Sequence, residues 1–341
     1  MVLQAYVSGF IGRLLGMSKR LFLVVAVLAG LGIHAGAQAP VKRPMWAMPP
    51  GNAPGPEPLK ELFAQPEEWT KARSEIGVLG AADHVLTTKF TDEELRADMA
   101  MMKAWHLKLG LEVGAIKEWG TTGDVAFAHS SKMWDRLIAD GAPLDAIAMD
   151  EPLACARHKL HKTMSYAVEN TAIYISLVRK KYPEMQVGDI EPYPGFQTPE
   201  LMEFLDALQA RLKEMGVRGL DFYRVDVDWM HFHPGDDAGK DGWKGVRNLE
   251  AEVHKRGIPF SLIYWAADLP SQRNAGKLTE ETWEKGILEQ EEDYRKAGGV
   301  PDEYVLESWV GSPSHSVPET QKGTFMHSVV AFNEVLDKKA K

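Results

Sequence analysis

Five stretches of this sequence place carboxylates where apolar runs end. Ile147-Ala148-Met149 is followed by Asp150, Glu151 and Pro152, and Asp189-Ile190 by Glu191, Pro192 and Tyr193. A third run closes with Asp226-Val227-Asp228-Trp229, a fourth with Leu306-Glu307-Ser308-Trp309, and Tyr264-Trp265-Ala266-Ala267 leads into Asp268. One such acid has an ordinary explanation, because Asp and Ser are favoured helix starts. Five strand ends that all carry acids are harder to explain that way. Carboxylates converging in one water-poor mouth repel each other and raise at least one pKa, an arrangement suited to general acid catalysis or to holding a divalent ion.

Tryptophans accompany the acids. Trp46, Trp119, Trp229, Trp265 and Trp309 lie in or just after the same kind of run. Their flat apolar faces can stack on the C–H face of a sugar ring while the indole N–H stays available for a hydrogen bond. Some of them must instead fill the core, so two or three are expected to face a pocket.

These residues need a scaffold that brings strand ends together. Apolar runs of strand length alternate with segments of helical period: Ile76 to Leu86, Leu107 to Ile116, Leu144 to Met149, Gln186 to Ile190, Leu220 to Trp229, Pro259 to Ala267 and Tyr304 to Trp309. Helix starts stand between them, as in Thr91-Asp92-Glu93-Glu94, a capping-box pattern, and Thr198-Pro199-Glu200, a cap followed by proline. The connections are of crossover length, which parallel strands need and hairpins do not. Met45-Trp46-Ala47-Met48, in a Pro- and Gly-rich stretch, supplies the eighth strand and closes a single (β/α)8 TIM barrel. The alternative is an open seven-stranded sheet. Active sites of such barrels lie at the C-terminal strand ends, which is where the acids cluster.

Met149-Asp150-Glu151-Pro152, at the end of the expected fourth strand, resembles the Asn-Glu-Pro motif of retaining glycoside hydrolases of the four/seven barrel superfamily. The resemblance implies that Glu151 is the acid/base. Asp150 stands where that family has Asn, and its strand-seven Glu nucleophile has no counterpart. The opposing carboxylate is therefore Glu307 or Asp268. Asp150, Glu191, Tyr193, Asp226 and Asp228, with Trp46, Trp119, Trp265 and Trp309, are expected to bind the carbohydrate. This reading requires no cofactor and no metal.

A second chemistry stays open. Glu151, Glu191 or Asp189, Asp228 and Glu307 also resemble the oxygen-rich divalent-metal site of xylose-isomerase-like barrels, with His231 or His233 as a possible nitrogen ligand. A barrel that binds carbohydrate without catalysis is a third possibility.

Composition narrows the field further. The chain has 341 residues, 45% hydrophobic and 26% charged, with a net charge of −9 and no long basic run, so nucleic acid is not an expected partner. Gly-x-Gly-x-x-Gly, Gly-x-Ser-x-Gly, phosphate-loop and His-Glu-x-x-His motifs are absent from the sequence. The one cysteine, Cys155, is expected to be a structural thiol. Ser18-Lys19-Arg20, the apolar run Leu21 to Ile33 and Ala35-Gly36-Ala37-Gln38-Ala39 follow the order of a secretory signal. The expected organisation is a signal over residues 1–39, with Met17 as an alternative start, then a segment 40–73 holding the first strand, and the rest of the barrel over 74–341. The mature protein would be secreted or periplasmic, with no membrane anchor left after cleavage.

Overall fold

In a computed structural model, which describes residues 44–51, 57–232, 237–267 and 278–339, the apolar runs form eight strands. They are β1 Met45–Met48, β2 Val78–Ala82, β3 Lys108–Val113, β4 Leu144–Asp150, β5 Gln186–Tyr193, β6 Phe222–Val227, β7 Phe260–Tyr264 and β8 Glu303–Glu307. All pairings are parallel and the sheet closes in chain order. The short run at Met45 does what the strand count requires, pairing with β2 on one side and with β8 on the other. The expected signal segment, Asp268 and His233 lie outside the described residues.

The strands are shorter than several of the apolar runs. The run from Ile76 to Leu86 splits into β2 and a helix, Asp83–Lys89, because Ala82 is extended at φ −66°, ψ 135° and the helix begins directly after it. The run from Leu107 to Ile116 yields a strand ending at Val113. Helices follow the strands as crossovers, and the Thr91 capping box forms, with Thr91 N–H donating to Glu94 Oε2 at 2.8 Å and Glu94 N–H to Thr91 Oγ1 at 3.2 Å. In the helix Thr198–Glu214 the cap falls one residue earlier than expected, on Gln197, whose N–H reaches Glu200 Oε2 at 3.4 Å. Among the described residues no helix is long and apolar enough to cross a membrane.

Which side chains enter the barrel follows from parity along the strands. A Cβ on Gly80 would strike Met48, one on Gly110 would strike Trp46 and one on Gly188 would strike Phe222, so these glycines face inward and make room for Met48 and the two rings. Arg224 packs on the same rings, its guanidinium 4.1 Å from the Trp46 centroid and 5.0 Å from Phe222. It is fully buried, donating to Ser261 Oγ at 3.0 Å and to Glu303 Oε2 at 2.9 Å. A buried guanidinium is tolerated when a carboxylate and aromatic faces replace its water, and Arg224 has both. Two residues further along each strand the barrel opens at its C-terminal end.

Candidate active site

The inward parity that begins at Trp46, Gly110 and Arg224 ends at Met48, Glu112 and Asp226, and the matching positions on β4 and β8 are Asp150 and Glu307. Four acids from four strands thus point into one mouth. Glu151 follows Asp150 directly, with a left-handed backbone at φ 50°, ψ 53°. Left-handed conformation costs a non-glycine residue about 1–2 kcal/mol. It persists because the flanking structure fixes it: Glu151 N–H donates to Ile190 O at 3.0 Å, and Glu151 O accepts from Cys155 N at 2.9 Å.

Burial pushes the Glu151 carboxyl up to about 7, and the negative Asp150 beside it adds to the effect, while Lys117 and Lys159 oppose it. Among the described residues nothing hydrogen-bonds this carboxyl. Asp150 is held differently, by Lys117 Nζ at 2.5 Å from its Oδ2. Asp226 is raised well above the usual carboxylate range by burial first, then by the charges of Glu151 and Glu307. Glu112 and Glu307 form a coupled pair. Burial and the Glu307 charge keep Glu112 protonated well above its ordinary range; burial also pushes Glu307 up to about 7, against the hydrogen bond from Glu112 and the Arg224 charge, which lower it. Glu307 Oε2 is sealed from solvent and has no hydrogen-bond partner among the described residues.

Several expected site residues lie elsewhere. Glu191 and Tyr193 share the parity of Asp189, opposite to Gly188, and so face the outside of the barrel. Glu191 is fully buried and accepts from Leu153 N at 2.6 Å and Ala154 N at 3.2 Å, buried N–H groups in the first turn after Glu151. It therefore braces the Glu151 loop and does not meet a ligand. Tyr193 packs beneath the helix Gly242–Lys255, edge-on to Phe232 at 6.0 Å. Trp46 is 1% exposed in the lower half of the barrel, its Nε1 donating to Glu303 Oε1 at 2.7 Å. It is a core residue, its indole filling the room that the missing side chain of Gly110 leaves.

Of the other aromatics, Trp265 and Trp229 are buried, while Trp309 and Trp119 are exposed. Trp265 follows β7, its indole beside Asp226, and lies 4.3 Å from Trp309. Trp309 is 39% exposed and Trp119 52%, the latter against His129 at 4.6 Å. Trp229 is buried and donates to Trp265 O at 3.0 Å, fixing that backbone. Asp228 lies just past β6 with His231 Nε2 at 3.2 Å. Cys155 is buried near Glu118 Oε2, 3.9 Å away, with its thiol pushed up by burial, as suits an inert residue.

The divalent-ion set does not assemble. Glu191 and Asp189 are on the outer face of β5, and among the described residues no three His, Cys, Asp or Glu side chains converge to hold an ion. Glu112, Lys117 and Arg224 were not anticipated from the sequence. Glu112 sits inside the apolar run Leu107 to Ile116, and it reaches the mouth only because the strand stops at Val113.

No protein-family model matches this chain, and no curated protein matches it. Solved structures do. A thermostable mutant of a xylanase (Xyn10A) from Cellvibrio japonicus is 11% identical, with 85% of this chain and 97% of that chain covered and a TM-score of 0.50. Xylanase 10C from the same organism in complex with xylopentaose is 12% identical, covering 79% of this chain and 59% of that one, with a TM-score of 0.48. QR15, an aldolase, is 14% identical over 79% of this chain and 90% of that chain, with a TM-score of 0.44. At these identities the likeness is one of fold, the closed (β/α)8 barrel.

Proposed function

We propose that this barrel is a glycoside hydrolase whose general acid is Glu151 and whose opposing carboxylate is Glu307. The observation that carries the reading is the state of Glu151: a carboxyl at the end of β4, raised to about 7 by burial and by Asp150, and free of any hydrogen bond from the described residues. A group with that pKa still holds its proton near neutrality and can surrender it, which is what a glycosidic leaving group requires.

The reaction follows from these charges. As the bond between the anomeric carbon and the leaving oxygen breaks, Glu151 gives its proton to that oxygen. Positive charge then grows on the anomeric carbon and ring oxygen, and the ionised Glu307 meets it while Glu112 donates its hydrogen bond to Glu307. Water completes the sugar product and its spare proton restores Glu151. Trp265 and Trp309 supply stacking faces, and Trp119, Asp150 and Asp228 line the approach. Arg224 beneath the acids limits their mutual repulsion.

Turnover of unactivated glycosides needs Glu151 protonated and Glu307 ionised, both carboxyls being raised to about 7, so it peaks near that pH and falls on the alkaline side as Glu151 loses its proton. A kcat/KM profile measured over a broad glycan panel tests this, and a rate that keeps climbing on the alkaline side contradicts it. We also propose that the protein is exported, on the order of charged, apolar and small residues over 18–39. Sequencing the N-terminus of protein from its host checks the cleavage, expected near Gln38 or Pro40.

A further inference from the structure

Of the acids that point into the mouth, Asp226 has no step in the cleavage and the least to hold it. It ends the inward parity of β6, in register with Pro192 on β5 and Ile263 on β7. The charges of Glu151 and Glu307 both reach it, and that of Asp150 more weakly, so it stands close to both carboxyls assigned to the bond being cut. Lys117 is taken up by Asp150 and Arg224 by Glu303, and among the described residues no lysine or arginine forms an ion pair with Asp226.

Its two oxygens have different surroundings. Oδ1 is sealed from solvent, and so is Nε1 of Trp265, whose indole lies beside the carboxyl; neither atom bonds anything else among the described residues. Oδ2 is not sealed, for the residue is only half-buried and its side chain points into the mouth. The backbone that carries the indole is held firmly. Trp265 O accepts from Trp229 Nε1 at 3.0 Å and from the buried Gln290 Nε2, and the hydroxyl of the preceding Tyr264 donates to Glu291 Oε2 at 2.8 Å. Gln290 and Glu291 are neighbours on the helix Glu280–Lys296, which thereby grips the end of β7 at two successive residues.

These surroundings decide where a proton goes. Burial penalises the charged form of Asp226, and the neighbouring acids add to the penalty with no cation to offset it, so the carboxyl stays protonated. An indole N–H can only donate, so the oxygen turned to it must accept, and the acid proton belongs to the other oxygen. A sugar hydroxyl that reaches Oδ2 therefore meets a donor, which the ionised Glu307 does not offer. We propose that Asp226 binds substrate as a neutral acid: Oδ1 rests on the Trp265 indole while the Oδ2 hydroxyl donates a hydrogen bond to a hydroxyl of the ring that carries the reacting carbon. The proposal rests on the glycoside-cleaving reading and adds to it a residue that selects sugars with a free hydroxyl at that place.

Asp226→Ala and Asp226→Asn separate the two ways a carboxyl can act. Asn can turn its amide oxygen to the indole and an N–H to the mouth, so it keeps the donor and cannot ionise. The substrate is the 4-nitrophenyl glycoside that wild type cleaves best among those of glucose, galactose, mannose, xylose and N-acetylglucosamine in both anomers. Asp226→Ala should lose about 5–100-fold in kcat/KM, the range for a polar group left without its partner in a closed site, and Asp226→Asn should recover all but about threefold of that. The alkaline limb of the pH profile should stay in place in Asp226→Asn, since no charge beside Glu151 has been removed. If circular dichroism shows that Asp226→Ala does not fold, Asp226→Val makes the same comparison with the bulk kept. Asp226→Asn as damaged as Asp226→Ala, or an alkaline limb moved to lower pH in Asp226→Asn, means that the group works ionised and overturns the proposal while cleavage stands. Wild-type rates in Asp226→Ala overturn it as well. If wild type turns over no compound, the cleavage reading falls and binding decides. Saturation-transfer NMR with the matching methyl glycosides should then give a signal lost in Asp226→Ala and kept in Asp226→Asn; a signal that Asp226→Ala retains, or no signal at all, ends the proposal.

Discussion

Glu151 should destabilise the fold in a pH-dependent way, and Glu151→Gln should reveal it. The carboxyl has an ordinary pKa of 4.5 and a folded value of about 7. Below pH 4.5 it is protonated in folded and unfolded chains alike and costs nothing. Between 4.5 and 7 the unfolded chain ionises first, so stability falls; above 7 the full penalty is present. At about 1.4 kcal/mol per pH unit the penalty approaches roughly 3 kcal/mol, an upper value because the carboxyl keeps some access to solvent. Gln keeps the size of the side chain and the left-handed backbone, so the comparison isolates the ionisation. In a barrel of this length 1 kcal/mol moves the melting temperature by ~2–4 °C, so the variant should melt about 6–12 °C above wild type at pH 8 and converge with it near pH 4. Scanning calorimetry across that range measures the difference. A gap that does not change with pH would refute the electrostatic account of Glu151, whatever the enzyme's substrate.

Other substitutions separate the roles assigned here. Glu112→Ala should destabilise the barrel by ~1–3 kcal/mol in denaturant melts at pH 8, because a buried Glu307 loses its donor, while Glu112→Gln, which can still donate, should restore most of that. Glu191→Ala removes two hydrogen bonds, from Leu153 N and Ala154 N; kcat should fall with KM little changed, as the Glu151 loop loses its brace while the ligand contacts stay. Trp46→Phe should lower the melting temperature without altering glycan binding in titration calorimetry, since its indole bonds Glu303 in the core.

The barrel was readable because parallel strands buried on both faces appear as apolar runs, and because the acids that end them stand out against that background. Even the four-residue strand at Met45 could be inferred, since a closed barrel needs an eighth member. The site was only partly readable, for a reason that lies in parity. Asp150 and Glu191 end neighbouring strands in similar dress, yet Asp150 is in register with Ile190, which sends Glu191 to the opposite face. Composition at a strand end does not show which face a side chain takes; a register is needed. Trp46 misled in the same way, for it takes the facing Gly110 to reveal that its ring fills the barrel. Glu112 was hidden by the length of its apolar run. The alternation Lys108, Gly110, Glu112 carried the signal, since Gly110 marks the inward side.

Leaving-group dependence of Glu151→Gln tests the central claim most directly. Removing a positioned general acid costs ~10²–10⁴ in rate when the leaving group needs a proton. Glycosides with alkyl or sugar leaving groups should therefore lose that much kcat/KM, while a matched 4-nitrophenyl glycoside, whose leaving group needs little protonation, should keep most of its first-step rate. Equal losses on both substrates, or full activity of Glu151→Gln on the unactivated one, would contradict the assignment of Glu151 as the acid.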